Sequence, residues 1–340
     1  MSLRKHTTIT QVAREAGVST QTVSRVLNNR PDVAPKTRQL VQTVIDQLGY
    51  QPSALARSLK QRSRTIGIVT AELGQYGPMR RLLGIDHTAA GLGYSVHLNL
   101  IHEFETGNGE LALNDLLAWQ VEGIIWAVPE ISNNRAWLHD KIPRLTVPVL
   151  FISERHDSTE SAVAVNNRIG GCLATKHLLA QGYEHIGIIT GPSKWHVAQQ
   201  RCLGWQDALP STETKQIVEG DWSAASGERA LNQLLEQYPE LDAVFAGNDQ
   251  MALGVFQAAH KLGLRVPEDL GVVGFDNIPE SAYFWPSLTT VRHQLTEQGK
   301  IAVQELIGMI ETQRQTGKIV QPKVTVLQPE LIVRKSSVIL

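Results

Sequence analysis

From residue 65 onward the chain repeats one theme, an apolar segment, a turn and an amphipathic stretch, at intervals of roughly 25 residues. Strands spaced by whole helices lie parallel, because an antiparallel pair closes with a tight turn whereas a parallel pair needs a long crossover. Sheets of that kind carry helices on both faces, and their strands read as continuous apolar runs. The pattern predicts strands at 65–70, 94–100, 122–126, 147–152, 185–190, 216–219, 242–246 and 270–275. One sheet ends near residue 152 and another starts near 185, which implies two lobes with a cleft between them. The expectation for this part is an α/β core of two doubly wound parallel-sheet lobes.

The first 64 residues have a different balance. They carry eleven Lys and Arg against Glu15, Asp32 and Asp46, a net +8, so the rest of a chain that sums to −1 carries −9. A basic head on an acidic body points to a polyanion partner for the head alone, since phosphate binding draws on locally concentrated positive charge. A composition 42% hydrophobic and 19% charged is that of a soluble globular protein. No apolar run approaches the ~20 residues of a membrane span, and Met1-Ser-Leu-Arg-Lys-His6 lacks an apolar signal core. A cytoplasmic protein with no membrane partner is expected. Cys172 and Cys202 are too few for a disulfide framework or a zinc cluster and read as packing residues.

Within the head, Thr8-Ile-Thr-Gln11 has the form of a capping box, and Val12, Ala13 and Ala16 give the following helix a buried face. Gly17 ends it, because glycine takes the left-handed conformation cheaply. Ser19 can cap a second helix over 20–27, and only a tight turn fits between the two, a helix-turn-helix. Val23, Val26 and Leu27 face inward, while Thr20 with Ser24 and Gln21 with Arg25 pair at i, i+4 on the outer side. Short hydrogen-bonding groups followed one turn later by an arginine suit a helix that points its amino-terminal end into the major groove. A third helix starts at Pro35, behind Ala34 as a poor cap, and runs through Leu40, Val41, Val44, Ile45 and Leu48 to Gly49.

The string Val12-Ala-Arg-Glu-Ala-Gly-Val-Ser-Thr-Gln-Thr-Val-Ser-Arg-Val-Leu-Asn28, with Val33-Ala-Pro-Lys-Thr-Arg38 and Leu48-Gly-Tyr-Gln-Pro52, resembles the lactose-repressor (LacI/GalR) family almost residue for residue. The resemblance implies that Ser19, Thr20, Gln21, Thr22 and Arg25 hold the recognition positions, Thr20, Gln21 and Arg25 facing base edges, and that Thr8 and Asn28 touch phosphate. It also implies a hinge helix in Ser53-Ala-Leu-Ala-Arg-Ser-Leu-Lys60, where Leu59 wedges into the minor groove with Ala56 and Arg57 alongside. An isolated helix under ~12 residues is marginal in water, so the hinge should fold only against DNA and a partner chain. The core is similar to the periplasmic-binding-protein type I architecture. The chain would then cross between lobes near Val165, Val291 and Val326, and a helix over 295–312 would return to the first lobe. The expected domains are a head at 1–50, a hinge and linker at 51–64, lobe 1 at 65–164 with 292–325, and lobe 2 at 165–291 with 326–340.

Ligands of open α/β sheets bind beyond the carboxyl ends of the strands, which selects Trp126, Ser153, the Gly191-Pro-Ser193 loop, Trp222, Asn248 and Asp276. Taken singly, each serves as well in a cap or a turn. Gly247-Asn-Asp-Gln-Met-Ala-Leu-Gly254 and Val272-Val-Gly-Phe-Asp-Asn277 match family effector motifs, and Arg201 matches the arginine that reaches into the cleft. A guanidinium fork with acceptors on Asp276 and Asn248 can hold neighbouring hydroxyls of one ring. Glu219-Gly-Asp-Trp-Ser-Ala-Ala-Ser-Gly227 resembles the segment whose tryptophan packs on a pyranose in the lactose repressor, although an aromatic there also serves purine-binding relatives. Ser153 and Trp126 stand where that repressor has an aspartate and an asparagine, so Trp126 either adds a second stacking surface or fills the lobe.

The resemblance therefore implies a repressor that binds double-stranded DNA at a near-palindromic operator as a homodimer, with a small sugar, a galactoside or related glycoside, as inducer. A purine-type corepressed regulator and a solute-binding protein without gene control are the alternatives. Neither cofactor, metal nor catalysis is expected, since the eleven histidines show no ligand spacing and no phosphate loop, Gly-x-Ser-x-Gly elbow or His-Glu-x-x-His motif occurs. The sequence ends at Leu340 without the leucine-heptad tail of the lactose repressor, and stretches at 251–262 and 77–92 resemble the family's dimer surface.

Overall fold

The computed structural model describes residues 7–27, 30–50, 64–71, 73–102, 108–153, 160–210, 216–318 and 320–338. It divides into an amino-terminal unit, 1–63, and a core unit, 64–340.

The amino-terminal unit holds three helices, α1 (Ile9–Glu15), α2 (Thr20–Leu27) and α3 (Pro35–Leu48). Thr8 forms the expected capping box: its hydroxyl accepts from the Gln11 backbone N–H at 3.3 Å, and the Gln11 side chain accepts from the Thr8 N–H at 2.8 Å. Gly17 sits at φ 61° and Gly49 at φ 59°, the left-handed region that frees the chain to leave each helix. Val12, Ala13, Ala16, Val23, Val26, Val41, Val44, Ile45 and Tyr50 form one core. On α3, Val41, Val44 and Ile45 take the buried i, i+3, i+4 stripe, and Leu40 and Leu48 are exposed.

The core unit contains two six-stranded sheets. The first is built from β1 (Thr65–Ala71), β2 (Ser95–Ile101), β3 (Ile124–Ala127), β4 (Val149–Ser153), β5 (Ala162–Val165) and β11 (Val324–Leu327), in the order β11-β5-β4-β3-β1-β2 and wholly parallel. The second uses β6 (Ile186–Thr190), β7 (Ile217–Glu219), β8 (Ala243–Ala246), β9 (Gly271–Phe275), β10 (Thr289–Arg292) and β12 (Glu330–Ile332), in the order β12-β10-β9-β8-β6-β7, where only the β10–β12 pair is antiparallel. Eight strands match the expected segments to within two residues. The short β5, β10, β11 and β12 complete the sheets and carry the chain from one lobe to the other.

Helices α4 (Tyr76–Gly91), α5 (Asn108–Ala118) and α11 (Leu295–Thr316) cover the first sheet, with the one-turn α6 (Ala136–His139) beyond β3. The second is covered by α7 (Asn167–Ala180), α8 (His196–Ala208), α9 (Ala224–Gln237) and α10 (Asp249–Leu262). The last helix of lobe 1 runs one turn past its expected end, to Gly317 at φ 67°. Helices pack in pairs at very short range through glycine. A Cβ on Gly171 of α7 would lie 2.2 Å from the carbonyl oxygen of Arg201, and one on Gly204 of α8 would lie 1.9 Å from that of Arg168. These two glycines let α8 settle against α7, and they fix the depth from which Arg201 reaches the cleft. Among the described residues no helix is long and apolar enough to cross a membrane, and no cluster of His, Cys, Asp or Glu could hold a metal ion. Cys172 and Cys202 form no disulfide, and Cys202 packs against the lobe 2 core.

Candidate nucleic-acid interface and effector cleft

On α2, Thr20, Gln21 and Arg25 are exposed along one side while Val23 and Val26 are buried on the other. The Ser19 hydroxyl accepts from the Thr22 N–H at 3.1 Å and lies 2.9 Å from the Thr22 hydroxyl, so both are engaged in starting the helix. Thr8 is likewise engaged in its capping box. Arg25 Nε stands 3.7 Å from the Asp32 carboxylate, both side chains more than half exposed, an arrangement weak enough for a phosphate or base to displace. Asn28, Ala56, Arg57 and Leu59 lie outside the described residues.

Between the lobes lies a cavity of about 370 Å³, within the usual size of a small-molecule site. Lobe 1 lines it with Gln75, Tyr76, Arg81 and Pro129, and lobe 2 with Trp195, Arg201, Asp221, Trp222, Asn248 and Asp276, while His293 follows β10 where the chain crosses back. Arg201, almost fully buried, donates from Nε to Asn167 Oδ1 at 3.0 Å and from Nη1 to the Gly247 carbonyl, and its Nη2 lies 3.7 Å from Asp276 Oδ1. Its guanidinium also stacks 3.7 Å above the Phe275 ring, so the fork is held flat and aimed.

Asp276 sits at φ 107° and Trp222 at φ 72°, conformations that L side chains rarely adopt and that recur at functional sites. Each follows closely on a strand end, Asp276 on β9 and Trp222 on β7. Asp276 is held by its N–H to the Val291 carbonyl at 2.8 Å and by His293 Nε2, also 2.8 Å from Oδ1. Burial lowers the His293 pKa, outweighing the upward pull of Asp276, so the imidazole is neutral near pH 7. A neutral ring beside a carboxylate carries its proton on Nε2, which leaves Nδ1 a bare lone pair, buried without a protein partner.

Asn248 is the N-cap of α10: its Oδ1 accepts from the Met251 N–H at 2.8 Å, while Nδ2 donates to the Trp222 carbonyl at 3.0 Å. Behind the site Asp249, fully buried, accepts from the Thr290 hydroxyl at 2.6 Å and from the Ile278 N–H at 2.8 Å. Burial, with the charge of Asp276 adding to it, pushes its carboxyl up to about 8.

The amino-terminal residues 8–53 match the model of the bacterial regulatory proteins, lacI family, and 175–337 match a periplasmic binding protein-like domain. The chain is 31% identical over 334 residues to the HTH-type transcriptional repressor PurR of Pectobacterium atrosepticum, covering 97% of this chain and 96% of that one. It is 32% identical over 321 residues to the lactose operon repressor of Escherichia coli K12, covering 94% and 89%. The chain belongs to the lacI family. The crystal structure of the Lac repressor dimer bound to operator and the anti-inducer ONPF superposes with a TM-score of 0.87 at 32% identity, over 98% of this chain and all of that one.

Against that family background the cleft brings together Arg201, Trp222, Asn248 and Asp276 but leaves out Trp126. Only 3% exposed, Trp126 is packed inside lobe 1 with Val69, Leu113 and Phe151 and meets Trp137 edge to face at 5.8 Å. Of the two roles open to it in the sequence, filling the lobe is the one its position suits. Ser153 ends β4, and the six residues after it lie outside the described ones. Sequence reasoning passed over Trp195, Tyr76, Arg81 and His293. For Trp195 a signal existed, since it stands just beyond the Gly191-Pro-Ser193 loop. Arg81 had none: it faces the cleft from mid-helix, steadied by Gln298, 217 residues away.

Proposed function

We propose that this lacI-family protein is a transcriptional repressor that holds a near-palindromic operator as a homodimer and releases it when a small neutral sugar, a galactoside or related glycoside, fills the cleft. The buried network of Arg201, Asp276 and His293 beside the Trp222 ring carries the reading. It offers a donor fork and a carboxylate oriented by His293 next to an aromatic wall, the set that vicinal hydroxyls and the apolar face of a pyranose require. Arg81 and Arg201 are balanced by Asp221 and Asp276 around the cavity, which suits an uncharged ligand better than a phosphorylated one. On the DNA side, Ser19, Thr20, Gln21, Thr22 and Arg25 form the recognition surface, with Thr20, Gln21 and Arg25 facing base edges; Thr8 and Asn28 touch phosphate, and Leu59 with Ala56 and Arg57 opens the minor groove. A sugar releases the operator only insofar as it binds one lobe arrangement more tightly than the other.

A purine corepressor is the second reading, favoured by the relatives that carry the name PurR and by a flat indole that suits a nucleobase as well as a pyranose. A thermal-shift screen of sugars, glycosides and purines, repeated as operator release by fluorescence anisotropy, separates the two. The sugar reading expects a glycoside that raises the melting temperature and lowers operator affinity. Stabilisation by purines alone, with tighter operator binding, overturns it.

A further inference from the structure

We propose that the ligand has two rings, and that the second, a sugar or an aromatic aglycone, packs on Trp195 while the first occupies the Trp222 wall. The inference rests on the sugar reading above and narrows it. Trp195 and Trp222 meet with centroids 6.0 Å apart and planes at 71°, so together they make a corner, not a continuous flat floor. One pyranose can cover one plane of such a corner. Two rings joined by a bent glycosidic bond can present a face to each.

The polar groups are distributed to match. Arg201, Asp276 and His293 are linked to one another, and Arg201 lies 5.7 Å from the Trp222 ring centroid, so hydroxyl recognition is concentrated on that side. From lobe 1, Tyr76 and Pro129 add the Tyr ring and the Pro ring as apolar lining beside the polar Gln75 and Arg81. A second ring stacked on Trp195 fits such surroundings, its few polar groups within the reach of lobe 1.

The position of Trp195 is fixed before any ligand arrives. Its N–H donates to the Pro192 carbonyl at 2.9 Å, and its own carbonyl accepts from the Gln199 N–H at 3.1 Å as α8 begins. It also pairs with Ile131 as an antiparallel bridge between the lobes, secured by Ser132 N–H to the Lys194 carbonyl and His196 N–H to the Glu130 carbonyl, each 2.9 Å. An aromatic ring on so constrained a backbone loses little freedom on binding, and affinity gains accordingly. The same bridge ties the second ring to switching. A ligand that reaches Trp195 presses on a segment whose neighbours Lys194 and His196 are hydrogen-bonded by backbone to lobe 1, whereas a single pyranose on Trp222 stays with lobe 2.

The test is calorimetry with lactose, cellobiose, maltose and p-nitrophenyl galactoside, each paired with its own monosaccharide, on the full chain and on Trp195→Ala and Trp195→Phe. In the unaltered protein at least one two-ring probe is expected to bind ten-fold or more tighter than its monosaccharide, and only such probes release operator. Trp195→Ala lowers that ratio by on the order of 10-fold, the scale of one aromatic contact with its buried area, while Trp195→Phe keeps most of it. A ratio near one in the unaltered protein, or one that Trp195→Ala leaves unchanged, overturns the second-ring inference and leaves the sugar reading standing. Binding of no sugar at all overturns both.

Discussion

Substituting Gly171, which touches no ligand, tests how the cleft is held together. In the middle of α7 a Gly→Ala change ordinarily stabilises a helix by about 0.5–1 kcal/mol. Here the new methyl carbon would stand 2.2 Å from the Arg201 carbonyl oxygen, and reaching an ordinary 3.4 Å contact requires α8 to retreat by about 1.2 Å. Overpacking of that kind costs about 1–3 kcal/mol, so the net expectation for Gly171→Ala is a loss of about 1–2 kcal/mol, opposite in sign to helix propensity. Arg201 must then either retreat with its helix or give up its 3.0 Å bond to Asn167. A misplaced guanidinium forfeits a charge-assisted hydrogen bond of about 1.5–3 kcal/mol, so affinity for any sugar that binds the unaltered protein should fall on the order of 10- to 100-fold. Urea unfolding followed at the core and calorimetry with that sugar read the two effects separately. A folded Gly171→Ala protein that is more stable than the original, or that binds sugar with unchanged affinity, refutes the account of how α7 and α8 place Arg201.

Asp249 gives a pH signature. Its folded value of about 8 lies above the ordinary 3.8, so the folded state holds this proton more tightly, and the contribution to stability is full at low pH and lost as pH rises from about 4 through about 8. Asp249→Asn should flatten that decline, its amide oxygen keeping the Ile278 N–H and the Thr290 hydroxyl turning to accept; melting curves at pH 6 and pH 9 that fall equally for both proteins refute it. Trp126→Phe should cost about 1–3 kcal/mol in melting or denaturant experiments yet leave sugar affinity within a factor of two, and a large affinity loss would return Trp126 to the ligand. Leu59→Gly should abolish specific operator binding in gel shifts while sugar affinity holds, and equal operator affinity in both proteins would sink the wedge assignment.

The central strands were legible in the sequence because burial on both faces leaves a continuous apolar run, as in β1, β3, β6, β8 and β9. Strand β12, Glu330–Ile332, is short, begins on a charge and is only half-buried, so no apolar run marks it. Its pairing with β10 comes from the tertiary fold, as does that of β11 with β5. In the cleft, Trp222, Asn248 and Asp276 were readable because each lies within three residues of a strand end, where open sheets place ligands. Their local company was not: Asn248 is a helix cap as well as a cavity residue, and the left-handed backbone of Trp222 and Asp276 leaves no mark in residue type. Arg201 came into view through resemblance alone. Trp126 shows the limit of the strand-end rule, which marks the end of a strand but cannot tell whether the side chain there turns to the cleft or to the sheet's covering helix.

The three passages of the chain between the sheets also bear on how the protein is made. Synthesis delivers β1 to β5 first, then β6 to β10 of the other lobe, and only afterwards α11 and β11, which the first sheet needs to cover its face and cap its edge. The lobe begun first therefore closes last, with the exposed face of β3 to β5 waiting on the ribosome while its neighbour assembles. A stop codon near residue 293 would leave lobe 1 without that helix and lobe 2 without β12, so a truncation of under fifty residues damages both halves at once. Nascent chains arrested after Arg292 should accordingly depend on chaperones far more than chains released at full length.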